Sequence, residues 1–252
     1  MLQEILTLNI FAFLLIFVRI GTAFMVMPGF GSTDVSRNIK LAFALAVSFS
    51  VTPVLAGVLP RIPVTPAGLG ILIMGEVLIG AFLGAIGRIM SAALHVAGTV
   101  ISFVSSMTNA FIHDAIADQQ SSTISGFLGT TGMVLIFVTD MHHLMLRAVV
   151  ESYALFKPGE QLMIGDLLNV IARQFADSFT LGVQLSAPFI VTGTAYYVGL
   201  GLLSRLMPAL PVFFVGLPLQ IAMQLAILML GLSTMMMIFL SHYEQSYIQF
   251  LQ

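Results

Sequence analysis

LGILIMGEVLIGAFLGAIGRIMSAALHVAGTVISFV, residues 69–104, is the stretch that decides the fold. Glu76, Arg88 and His95 are its ionisable residues, and the rest is apolar, glycine or small. A bilayer core takes roughly 20 helical residues to cross. The stretch is therefore apolar enough to enter a membrane and too long for one upright span, so it is expected to break, tilt or extend out of the bilayer.

The flanks repeat the pattern. Upstream, Leu6 to Met27 is a span-length apolar run carrying Arg19, closed by Pro28-Gly29 and Gly31. A second run covers Ile39 to Leu59 with Pro53 inside it, and the proline-rich Pro60 to Pro66 reads as a loop. Downstream come a polar stretch from Ser105 to Ser125, an apolar helix expected over Gly126 to Tyr153, and a more soluble connection from Lys157 to Asp177. That connection is expected to hold a short amphipathic helix near Ile164 to Phe175. Two further spans are expected over Phe179 to Leu203 and Val212 to Leu240, with Pro188 and Pro218 inside them and a mixed tail after them. The start of the chain has Glu4 and no basic cluster before its apolar run, which reads as a retained helix.

The whole chain agrees with its middle. Of 252 residues 58% are hydrophobic and 8% charged, with mean hydropathy +1.05. An ordinary soluble domain carries about 25% charged residues, so most of this surface must face lipid or protein. The expectation is an all-α integral membrane protein of about six long, partly broken helices, forming one membrane-embedded domain over residues 1–252. With a net charge of −2 and no basic stripe, nucleic-acid binding is excluded. Absence of cysteine excludes disulfides, thiolate metal sites and thiol nucleophiles. Lysines and arginines in alternate loops number three against four, so charge bias does not set the orientation.

Catalysis finds little support, since no GxSxG, HExxH or Walker A pattern occurs. Asp140, His142 and His143 are the nearest thing to a metal set. A site would need a further ligand, and adjacent histidines on a helix point about 100° apart. The favoured reading is interfacial histidines near a helix end, and no metal or cofactor is expected.

Arg19, Glu76 and Arg88 are charges at membrane depth, where each needs a partner or water. Glu76 and Arg88 stand twelve residues apart, which is roughly 18 Å along a continuous helix and about 120° around it. They cannot meet, so their partners are expected on other helices or other subunits, with inter-subunit pairing favoured over an ion path. Gly80, Gly84 and Gly87 share one helix face and predict close helix packing. Sixteen methionines, three of them at Met235 to Met237, read as flexible core fillers, with a soft seal around an aperture as the alternative. The stretch from Ser105 to Ser125 mixes Asn109, Phe111, Ile112, His113, Asp114, Ile116 and Asp118 without lysine or arginine. It is either a surface loop or a segment folded into a pore.

Several stretches taken in order resemble the FliR/SctT family of type III secretion export-gate proteins. They are Arg19-Ile20-Gly21 with Pro28-Gly29-Phe30-Gly31 and the run Val35 to Leu41; Gly75-Glu76 to Gly80 with Gly87-Arg88; Gln120-Ser121-Ser122; the pair His142-His143; and Leu206 to Gln220. The likeness covers essentially the full length. One departure is Asp140-Met141-His142, where the family pattern has an Asn-Gly-His type turn.

The resemblance implies a non-enzymatic subunit of a helical gate in the bacterial inner membrane, at the flagellar basal body and raised towards the periplasm. FliP-like and FliQ-like subunits would complete the hetero-oligomer, an FlhB-like protein would lie nearby, and unfolded flagellar proteins would pass through. It also implies a loop that plugs the closed pore. By order along the chain that loop falls near Ser106 to Ser122, with Ser106, Met107, Asn109, Phe111, Ile112, His113, Asp114, Ile116 and Asp118 as its residues. An injectisome gate subunit is the near alternative. A proton-coupled secondary transporter is the more distant one, and no repeat between the halves supports it.

Overall fold

The computed structural model describes residues 2–32, 35–55, 57–60, 62–107, 111–114, 119–160, 162–207 and 212–251; the side chains of 2–9, 111–114, 119–121 and 213 are left aside. Among these residues the chain forms helices α1 (Leu2–Val26), α2 (Arg37–Leu55) and α3 (Pro66–Val104). A hairpin of β1 (Phe111–Asp114) and β2 (Gln119–Ser122) follows, then α4 (Thr123–Val138), α5 (Met141–Leu155), α6 (Ile164–Leu206) and α7 (Val212–Ile248). The fold is an all-α membrane architecture with one small hairpin set into it.

Among the described residues four helices are long and apolar enough to cross a membrane, and α4 with α5 make a fifth candidate as a bent pair. Of the three outcomes expected for residues 69–104, a break is the one that does not occur: α3 is one helix of 39 residues, long enough to tilt or to extend out of a bilayer. It starts on Thr65, whose hydroxyl accepts from Gly68 N–H at 3.2 Å, with Pro66 at the first helical position, where a missing N–H costs nothing. At 1.5 Å per residue it is about 58 Å long, nearly twice the hydrocarbon thickness.

Two other boundaries differ from the sequence reading. The soluble-looking connection is not separate, because α6 runs unbroken from Ile164 and absorbs it into a 43-residue helix. Polar residues such as Asp166, Asn169 and Arg173 lower the hydropathy there, but Asp166 lies in the first turn, where the helix dipole favours an acid, and Arg173 is a good helix former. The single helix expected over Gly126 to Tyr153 is instead two, meeting at 70° across Thr139-Asp140. Asp140 takes a left-handed conformation (φ 61°), which ends α4 and starts α5 in a new direction.

By its contacts the chain divides into two compact units, one of Met1–Met90, Phe137–Phe175 and Tyr243–Gln252, the other of Ser91–Ile136 and Ala176–His242. In the first, α1 buries Phe11, Ala12, Leu15, Ile16, Arg19, Ile20, Ala23 and Phe24, a stripe with helical period. Gly80 lets that stripe approach α3: a Cβ there would run into the Thr22 hydroxyl and the Arg19 carbonyl. At Gly84 it would stand 2.8 Å from Ala23 O and Val26 Cβ, and at Gly87 2.5 Å from the Tyr247 hydroxyl. Lipid is as apolar as leucine, so such close packing, and not hydrophobic transfer, holds membrane helices together. In the second unit small residues play the same part. A Cβ on Gly98 would strike Ser125 of α4, and one on Gly182 of α6 would stand 2.8 Å from Val96 Cβ.

Candidate functional site

Within the first unit, Arg19 sits fully buried at the centre of a polar node. Its Nε donates to Glu76 Oε2 at 2.6 Å and its Nη2 to Glu76 Oε1 at 3.0 Å, a two-pronged pairing of guanidinium with carboxylate. Nη1 donates to the Ser152 hydroxyl at 3.0 Å, and Nη2 also reaches the Phe156 carbonyl at 2.9 Å. The guanidinium carbon lies 3.7 Å over the centre of the Tyr153 ring, a cation–π contact. The expectation of inter-subunit partners for Arg19 and Glu76 is thereby corrected: they pair with each other across α1 and α3, with α5 completing the shell. Helical period excluded Glu76 pairing with Arg88 and was silent about which other helix would approach. Arg88 is different. It is exposed on α3 and enters none of the ion pairs among the described residues.

In the second unit lies the segment expected to plug a pore. β1 and β2 pair antiparallel in the register Phe111↔Ser122, Ile112↔Ser121, His113↔Gln120, Asp114↔Gln119. Asn109, Ile116 and Asp118 lie outside the described residues. Both ends of the segment are tied by hydrogen bonds. At its entry α3 closes at Val104, whose carbonyl accepts from buried Gln220 Nε2 of α7 at 2.7 Å. Ser106 is left-handed (φ 58°), its hydroxyl is hydrogen-bonded to that of Tyr197 on α6, and Met107 follows directly. At its exit Ser122 caps α4, accepting from Ser125 N–H at 3.2 Å and from the Ser102 hydroxyl of α3 at 2.8 Å. Ser125 continues the seam to His95, with its hydroxyl 3.2 Å from Nδ1. An apolar bundle thus carries a hairpin rooted at both ends by serine, glutamine and tyrosine.

The match to known sequences runs through all of these places: bacterial export proteins, family 1, covers residues 10–246. The chain belongs to that family. It is 35% identical to the flagellar biosynthetic protein FliR of Caulobacter vibrioides over 231 residues, 92% of each chain. Its likeness to FliR of Bacillus subtilis is 28% over 232 residues, 90% of this chain and 88% of that one. The secretion system apparatus protein SsaT of Salmonella typhimurium is 26% identical over 161 residues, 64% of this chain and 62% of its own. This export-family chain is therefore a membrane-embedded component of type III export.

Sequence reasoning about this family member found the ends of its polar sites and missed their partners. Ser152, Tyr153 and Phe156 were not foreseen around Arg19, nor Gln220 and Tyr197 at the hairpin root. Gln220 and Gln224 did carry a signal, being one helical turn apart in the otherwise apolar first half of α7, where a side-chain amide must find a partner. Gln224 Nε2 lies 3.4 Å from the Phe189 carbonyl. Of the methionine triplet, Met235 and Met236 are buried, as a core-filling role requires, whereas Met237 is exposed. The histidine corner also differs from expectation. Ligand atoms of Asp140, His142 and His143 all fall within 4.8 Å of one another, despite adjacent histidines in one helix.

Proposed function

We propose that this chain is a non-enzymatic subunit of the flagellar type III export gate. It would work as one membrane-embedded domain, joining FliP-like and FliQ-like subunits beside an FlhB-like protein in the bacterial inner membrane, raised towards the periplasm. Unfolded flagellar proteins would pass through the channel so formed. The observation that carries the reading is the hairpin between α3 and α4, whose two roots are hydrogen-bonded to α3, α6 and α7. Non-helical backbone at membrane depth is tolerated where it is buried in protein or lines an aqueous cavity. A closed protein channel needs a plug of this kind to hold back ions, and rigid roots keep such a plug in place. The flagellar reading is preferred to the injectisome one because the Caulobacter likeness is both higher and longer than that to SsaT.

Deleting residues 109–119 tests the plug. Assembly is expected to survive and the resting membrane to leak ions, read as conductance in whole cells or in planar bilayers holding the purified gate. Unchanged conductance in an assembled deletion complex would sink the assignment.

A further inference from the structure

The corner between α4 and α5 has no part in the gate reading, and its side chains converge. Left-handed Asp140 turns the chain through 70°, so that the carboxylate that precedes α5 faces back over its first turn. Asp140 Oδ1 lies 3.3 Å from His143 Nδ1. The His142 ring stacks on Phe137, with centres 5.1 Å apart, and stands 4.1 Å from the His143 ring. His142 Nδ1 is shut off from solvent and has no hydrogen-bond partner. A buried, unbonded imidazole nitrogen is costly to keep, and coordination to a cation is one way to satisfy it. Arg147, one turn further on, is neutralised by Glu151 at 2.6 Å, which removes its repulsion of a cation nearby.

We propose that Asp140, His142 and His143 bind a divalent transition-metal cation of the zinc class. Two neutral imidazoles and one carboxylate are a donor set for such ions, whereas magnesium and calcium prefer all-oxygen shells. Tetrahedral bonds of about 2.1 Å separate ligand atoms by about 3.4 Å, so side-chain rotations of about an ångström close the present spacing of up to 4.8 Å. Three protein ligands leave a fourth position for water or for a group from a neighbouring subunit. The bound ion would hold the left-handed turn at Asp140 against the first turn of α5. None of this depends on the gate reading, and the corner lies apart in sequence from the hairpin.

The test is a Zn²⁺ titration of the full-length chain in its purified complex, carrying no polyhistidine tag and first stripped with chelator, against a chromophoric competitor. One equivalent per chain is expected, with His142→Gln and His143→Gln each weakening binding on the order of tenfold or more. His242→Gln, which alters a histidine elsewhere on α7, should leave it unchanged. Cu²⁺ added in place of Zn²⁺ should give electron paramagnetic resonance lines split by nitrogen, lost in the double variant. Substoichiometric binding, or binding that the double variant retains, overturns the site as adventitious. The histidine variants should still co-purify with their partner subunits, which separates loss of metal from loss of fold.

Discussion

Arg19 lies in the middle of an apolar helix, and its surroundings explain why it is tolerated there. A guanidinium offers five donors in a fixed fork, and Glu76, Ser152 and Phe156 take up four hydrogen bonds while Tyr153 covers its face. Removing one member of such a pair leaves a buried charge uncompensated, which costs about 3–5 kcal/mol. Glu76→Leu is therefore expected to destabilise the chain by about that amount, measured by thermal or denaturant unfolding in mild detergent. The double change Arg19→Met with Glu76→Leu should recover most of the loss, because it removes both charges together. Equal stability of Glu76→Leu and the parent would show that the pair holds nothing. At this same scale, Asp140 occupies a left-handed position that asparagine and aspartate tolerate better than most residues.

Among the elements, the hairpin and its roots matter most. α3 could have ended anywhere past one span; it ends at Val104 because Ser105 and Ser106 turn the chain and Gln220 satisfies an orphan carbonyl of the last turn. Gln220→Leu keeps the volume and removes that donor. It is expected to cost about 1–3 kcal/mol and to loosen the entry root of the hairpin. Ion leak through the assembled gate should rise, though less than in the deletion of residues 109–119. Leak equal to that of the unaltered gate would mean that the exit root at Ser122 suffices alone. The α4–α5 bend is the other element that hydropathy could not foresee. The apolar run continues on both sides of Thr139-Asp140, and only the backbone conformation of Asp140 separates two helices from one.

Over the whole molecule the main fact is exposure. α2 and α6 leave most of their apolar surface uncovered, including Phe49, Val54, Phe179, Val191 and Val198. Lipid covers apolar surface without cost, but it cannot satisfy Arg88, which is exposed on α3 and unpaired among the described residues. The expectation of an inter-subunit partner therefore stays with Arg88 after leaving Arg19 and Glu76. Arg88→Ala should lower the yield of co-purified partner subunits several-fold, while the thermal stability of the isolated chain stays as it was. Native mass spectrometry of the complex reads the first and detergent unfolding the second. A stable chain with full complex yield would remove Arg88 from the interface.

The sequence alone determined that this is a helical membrane protein of the export family. Hydropathy, charge density and the order of short motifs are properties of the chain read in line, and lipid acts on them segment by segment. It also located the polar segment after α3 and the charges at membrane depth, because both are costly in an apolar surrounding wherever the helices lie. Only the tertiary structure decided who meets whom. Arg19 and Glu76 are 57 residues apart and Arg19 and Ser152 133 apart. Joining them depends on glycines that let α1 close on α3, and on a left-handed aspartate that swings α5 back towards both. Such pairings are set by helix packing and backbone turns, which depend on steric fit between distant parts of the chain: glycine spacing marks a face for close packing but does not say which helix meets it.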